Sequence, residues 1–123
     1  MFINQPFDSF LGFRYDRLSD DRVRVTLPVQ DLYVNSSGVI HGGIISSLAD
    51  VAMSNLVPAD EEGVQQMVTV DLGVSFLRGA TGGSLRAEAE IVKHGRTLVH
   101  AACTVYDEED RAVATAKGVF FRK

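Results

Sequence analysis

The residues best placed to do chemistry lie between Asn35 and Ser54, in the stretch N-S-S-G-V-I-H-G-G-I-I-S-S-L-A-D-V-A-M-S. His41 ends a loop, and Gly42-Gly43 open a helix. The first turn of a helix carries backbone N–H groups with no partner inside the helix, and the positive end of the helix dipole adds to their pull on negative charge. Glycine there lets a ligand oxygen come close to the backbone. His-Gly-Gly at a helix start is therefore a candidate oxyanion-binding site. The simpler alternative is that the two glycines only ease the chain into the helix. Farther along, Asp50 shares a polar face with Ser46, Ser47 and Ser54, all at helical spacing. An unpaired carboxylate away from water is costly. Asp50 either bonds one of those serines or has a chemical task.

These residues need elements to hold them. Ile44, Ile45, Leu48, Val51, Ala52 and Leu56 recur at helical spacing, which predicts one buried stripe on a helix over Gly42–Val57, stopped around Pro58. Before it, residues 2–12 read as a short helix or turn, and Phe13–Ser19 and Arg22–Pro28 as two strands joined at Asp20-Asp21. Residues 29–41 form a loop long enough to point to function. After the helix, Val64–Leu77 alternates along a strand with a bulge or bend expected at Gly73. A turn at Gly79–Gly83 leads into strands over Leu85–Lys93, Thr97–Asp107 and Ala112–Phe121. The order β-β-α-β-β-β-β with successive hairpins predicts an α+β fold, an antiparallel sheet with one helix on one face. Thr97–Asp107 is apolar on both faces, with Leu98, Ala102 and Tyr106 on the side opposite Val99, Ala101, Cys103 and Val105. One helix cannot cover both faces, so association into an oligomer is expected.

The totals bound the function classes. A chain of 123 residues predicts one domain over 1–123 with one core. Hydrophobic residues at 46% and charged residues at 23% are ordinary for a soluble globular protein. A net charge of −4, with both signs spread along the chain, leaves no basic footprint for nucleic acid and no polybasic membrane patch. The single cysteine, Cys103, has no internal partner and fits a reducing, cytoplasmic setting. No signal peptide or segment of transmembrane length is visible. His94 and His100 lack metal-ligand spacing with His41 and read as structural or surface residues.

The pattern Asn35-x-x-Gly38-x-x-His41-Gly42-Gly43, with Asp50 inside the following helix, resembles the hotdog-fold acyl-CoA thioesterases, and within them the phenylacetate-pathway (PaaI-type) branch. Thr69-Val70-Asp71-Leu72 is similar to the family's central strand after the helix, and Lys93-His94-Gly95-Arg96-Thr97 to its following hairpin. The likeness runs from Phe10 to the end of the chain. One departure is Arg78-Gly79, a turn where many relatives carry proline. The resemblance implies a curved antiparallel sheet wrapped around one long helix. It also implies a homodimer as the minimal active unit and a homotetramer, a dimer of dimers, as the assembly.

The resemblance also implies roles. The Gly42 N–H polarises the thioester carbonyl, Asp50 acts as general base or nucleophile, and Asn35 positions substrate or water. His41 supports the loop, and Thr69 helps hold the attacking water. Each has a plainer alternative: Asn35 a turn residue, His41 a helix cap, Thr69 a strand former. Arg78, Lys93, Arg96, Arg122 and Lys123 are candidates for the phosphates of coenzyme A, with surface solvation as the rival. Coenzyme A enters as part of the substrate, aryl or medium-chain acyl-CoA, and no separate cofactor or metal is expected. A thioester is already activated, so its hydrolysis needs only an oxyanion donor and one carboxylate. Two other functions compete. A hotdog-fold hydratase or dehydratase would use His41 with Asp50 as its acid–base pair, and a non-catalytic acyl-CoA-binding module would leave Asp50 without a task.

Overall fold

The computed structural model describes residues 1–123. Its elements are α1 (Pro6–Leu11), β1 (Arg14–Ser19), β2 (Arg22–Pro28), α2 (Gly42–Ser54), β3 (Met67–Phe76), β4 (Ser84–His94), β5 (Leu98–Tyr106) and β6 (Ala112–Arg122). A single 3₁₀ turn, Asp31–Tyr33, interrupts the loop before α2. All strands pair antiparallel in one six-stranded sheet of order β1-β2-β4-β5-β6-β3. The β-β-α-β-β-β-β order predicted above is the observed one, and the short helix or turn expected within residues 2–12 is the helix α1.

Alternation on the central strands makes the core. Val23, Val25 and Leu27 of β2, Leu85, Ala87 and Ala89 of β4, and Val99, Ala101, Cys103 and Val105 of β5 are all buried. So are Ile45, Leu48, Ala49, Ala52 and Met53 of α2. Many of the sheet residues under the helix are alanines, which lets α2 sit close to the strands. At Gly118 in β6, an added Cβ would lie 3.2 Å from Met53 Cε.

Three sequence expectations are corrected. The helix ends at Ser54 instead of Val57. The Asn55 side chain takes over the last turn: its Nδ2 donates to Val51 O at 2.9 Å while its Oδ1 accepts from Ile3 N at 2.8 Å. Asn is suited to such local side-chain capping. Second, β3 and β4 do not form a hairpin across Gly79–Gly83. β3 crosses to the far edge and pairs only with β6, and β4 lies between β2 and β5. Third, the bulge in β3 falls at Val70 and not at Gly73, because the register with β6 shifts between Thr69 and Asp71.

That bulge matters for the site. Residues paired across strands share a face. Thr69 pairs with Phe120, which is fully buried, so Thr69 faces the helix. Beyond the bulge, Val74 and Phe76 pair with the buried Ala116 and Ala114, so they face the helix too. Strict alternation would put an odd and an even position on opposite faces. The extra residue at Val70 brings both sets to the same side.

Candidate active site

The helix start is built by His41. Its backbone is extended, at φ −59° and ψ 134°, and its side chain caps the helix: Gly43 N donates to His41 Nδ1 at 2.9 Å. Ile44 N and Ile45 N both donate to His41 O, at 3.0 and 3.3 Å. Of the first-turn donors, the Gly42 N–H alone finds no acceptor in the chain. The glycines are not there for turning, because neither has a positive φ. They are there for close approach. A Cβ on Gly43 would meet His41 Nδ1 at 3.1 Å and disturb the cap, and a Cβ on Gly42 would meet the Phe76 ring at 3.2 Å.

The loop ahead of His41 is folded by Asn35. Its Oδ1 accepts from Ser37 N at 2.9 Å and Val39 N at 3.3 Å, and its backbone N–H donates to Val39 O. Gly38 takes the left-handed conformation, φ 82°, that closes this turn. Asn35 is a turn residue, and its Nδ2 has no partner. Asn35, Gly42, Ile45, Phe76 and Arg78 line one cavity of about 350 Å³ at this end of the helix.

Asp50 lies at the other end of the site. It is half-buried, and its partner is none of the serines of its own face. Thr69 Oγ1 donates to Asp50 Oδ1 at 2.7 Å, while Ser47 Oγ donates to the Gly43 carbonyl. Burial pushes the Asp50 carboxyl above the ordinary carboxylate range, and the Thr69 hydrogen bond pulls it partly back. A group that sequence reading missed is Asp8. This carboxylate is 2% exposed, and Gln5 Nε2 bonds both its oxygens, at 3.0 and 3.1 Å. Burial pushes its pKa up, hydrogen bonds from Gln5 and Tyr15 oppose that, and the charge of Asp50 adds to the rise. Nothing local marks Asp8, since only the packing of α1 against the domain buries it.

The sequence candidates therefore fall into two groups. Asn35, His41, Gly42 and Arg78 gather at the N-terminus of α2. Asp50 and Thr69 gather near the start of β3. Lys93 and Arg96 belong to the second end, on the β4–β5 hairpin, because Leu98 pairs with Phe121 and Phe121 with Val68. Arg122 and Lys123 join them there: Arg122 N donates to Thr97 O at 2.8 Å, and Arg122 Nη1 lies 2.7 Å from His94 Nε2. None of Arg78, Lys93, Arg96, Arg122 and Lys123 is paired with a carboxylate. One chain does not bring Arg78 and the hairpin cations together, since Val68 and Phe76 alone are about 26 Å apart along β3. No three His, Cys, Asp or Glu side chains converge in a way that could hold a metal ion.

A sheet of six antiparallel strands against one central helix, with an open N–H at the helix start and a carboxylate farther along it, defines the hotdog architecture. The chain belongs to the thioesterase superfamily, whose sequence model matches residues 37–114. It is 33% identical to a Pseudomonas aeruginosa protein provisionally named an esterase, over 98% of this chain and 90% of that protein. It is 25% identical to the medium/long-chain acyl-CoA thioesterase YigI of Escherichia coli, over 98% of this chain and 88% of YigI. A crystal structure of a Bacillus halodurans protein with CoA superposes with a TM-score of 0.82 at 30% identity, covering 96% of this chain and 76% of that one. The protein is a thioester hydrolase of this superfamily. No helix is long and apolar enough to cross a membrane.

The Thr69–Asp50 bond carries a prediction. A carboxylate that deprotonates water or attacks a carbonyl must be ionised, so activity rises with pH through its titration. The Thr69 hydroxyl donates to the ionised form and lowers that pKa. Thr69→Val keeps the shape and removes the donor, so if Asp50 is the reacting group the acid limb of the kcat/KM–pH profile is expected to move to higher pH. An acid limb that stays in place in the folded variant would show that this hydrogen bond does not tune the reacting group.

Proposed function

We propose that the protein hydrolyses aryl or medium-chain acyl-CoA thioesters to free acid and CoA, in a site shared between two subunits. The observation that carries this reading is the lone unpartnered Gly42 N–H on the same helix as the Thr69-bonded Asp50. The carbonyl oxygen approaches the Gly42 N–H, which stabilises the oxyanion as charge develops. Asp50 takes a proton from water as the water oxygen bonds to the carbonyl carbon. The carbon–sulfur bond then breaks, and the proton passes to the thiolate sulfur, giving CoA and the free acid. Attack by the carboxylate itself is the alternative route to the same products. Asn35 Nδ2 and Thr69 help orient substrate and water, and His41 holds the loop. The hydratase reading would need His41 as the base, but a neutral ring whose Nδ1 accepts from the Gly43 N–H carries its proton on Nε2 and has no free lone pair to take another.

Sharing follows from distance. Gly42 and Asp50 are eight residues apart on one helix, about 12 Å along its axis, whereas both must lie within roughly 3 Å of reacting atoms. An antiparallel pair of chains supplies both to one thioester. The free edge of β3 supports pairing, since Val68 is 40% and Val70 60% exposed. The same pairing sets Arg78 of one protomer toward the hairpin cations of the other, a cradle for nucleotide phosphates. Two dimers associate as a tetramer, supported by the apolar pair Leu98 and Phe121 left on the outer sheet face. The buried lone thiol of Cys103 suits the cytoplasm.

Free-thiol release measured over a panel of acyl-CoAs tests the activity, and its absence with every acyl group would reject this function. A salt series tests the cradle. The chain carries −4 overall, so local cations must attract the nucleotide. KM for a CoA ester is expected to rise with salt, while KM for the same acyl group on a short uncharged thiol changes little. A KM for the CoA ester that is flat with salt would remove the phosphate cradle.

A further inference from the structure

Phe76 is an apolar side chain that the fold leaves open at a chemically sensitive place. It ends β3, where its backbone pairs with Ala114 and the next residue is tied by Leu77 N donating to Val113 O at 2.8 Å. The ring is 54% exposed, yet its outer edge points at the helix start. A Cβ on Gly42 would lie 3.2, 3.4 and 3.8 Å from Phe76 Cζ, Cε1 and Cε2. The ring, the Gly42 N–H and the apolar side chains of Val39, Ile40 and Ile45 border the same cavity. The space beside the open N–H is thus a slot with an aromatic edge for one wall. The wall is anchored by its backbone and can yield only by swinging the ring.

We propose that Phe76 is the residue that determines acyl specificity, by discriminating against acyl groups branched at the carbon next to the thioester carbonyl. This rests on the reading that the carbonyl oxygen binds the Gly42 N–H. An oxygen held about 3 Å from that nitrogen places the two substituents of the trigonal carbonyl carbon beside the ring edge. One substituent is sulfur, which is two-coordinate and identical in every CoA ester. Bulk varies only at the acyl α-carbon. A straight chain offers a slender CH₂ there, and a branched one adds a methyl that meets the ring. A single methyl in such a slot changes selectivity by about tenfold or somewhat more.

The test compares kcat/KM for hexanoyl-CoA and 2-methylhexanoyl-CoA in the wild type, Phe76→Ala and Phe76→Leu. The wild type is expected to favour the straight chain. The straight-to-branched ratio is expected to fall about tenfold in Phe76→Ala, with Phe76→Leu between. The ratio is taken within one variant, so partial loss of folded protein cancels. A wild type without preference, or ratios equal to wild type in both variants, overturns the role of Phe76 and leaves the hydrolase reading standing. A wild type that releases thiol from neither ester, nor from any other acyl-CoA, overturns both.

Discussion

Asp50→Ala lowers turnover of a purified acyl-CoA substrate by about 10²–10⁴, the range for loss of a positioned proton acceptor. The structure gives this carboxylate one hydrogen-bond partner, Thr69, and no cation. Burial raises its pKa, which means the ionised form costs the fold something to hold. Removing the side chain relieves that cost and leaves only the Thr69 hydroxyl to find a new partner at an exposed position. The variant is therefore expected to stay folded, with a melting temperature close to wild type, while thiol release collapses. Activity and melting measured on the same preparation separate the two effects. Near-normal turnover in a folded Asp50→Ala protein would remove Asp50 from the reaction, and the base or nucleophile would have to be sought elsewhere.

The second large effect is a recovery. Gly42→Pro removes the one open N–H of the helix start. Gly42 is the first helical residue, a position proline tolerates. The residue before proline must be extended, and His41 already is, at φ −59° and ψ 134°. The added ring atoms press on Phe76, whose exposed ring can yield. Alone, this variant and Asp50→Ala are both expected to be inactive. In a mixed dimer formed by coexpression, the proposed two-fold arrangement, with Gly42 of one chain beside Asp50 of its partner, leaves one site with both defects and the other with neither. Activity should return to about half that of the wild-type dimer. Mixed dimers purified with two different tags, shown to be folded and still as inactive as the parents, would mean that the two groups do not meet across an interface.

Much of this site is legible in the chain. The helix start, its polar face and the loop before it come from local rules: capping, side-chain periodicity and turn chemistry act over a few residues, and those residues are adjacent in sequence. The strands and most of their ends follow from alternation for the same reason. What the linear order leaves open is everything that depends on which strand lies beside which. β3 and its five alternating apolar positions look like the first arm of a hairpin, yet the strand closes the far edge on β6, because pairing partners are chosen by the whole sheet and not by the nearest turn. The position of the bulge is hidden for a related reason. Val68, Val70 and Leu72 form an unbroken alternating set in sequence, and only the register against β6 shows that the phase changes between Thr69 and Asp71. That change puts Thr69 on the helix side, where it becomes the partner of Asp50, nineteen residues away in the chain. Tertiary structure alone also sets Phe76 against Gly42 and buries Asp8 beside the same helix. The residue types for the chemistry are written locally, but the distances between them are set by long-range packing, and those distances decide what each group can reach.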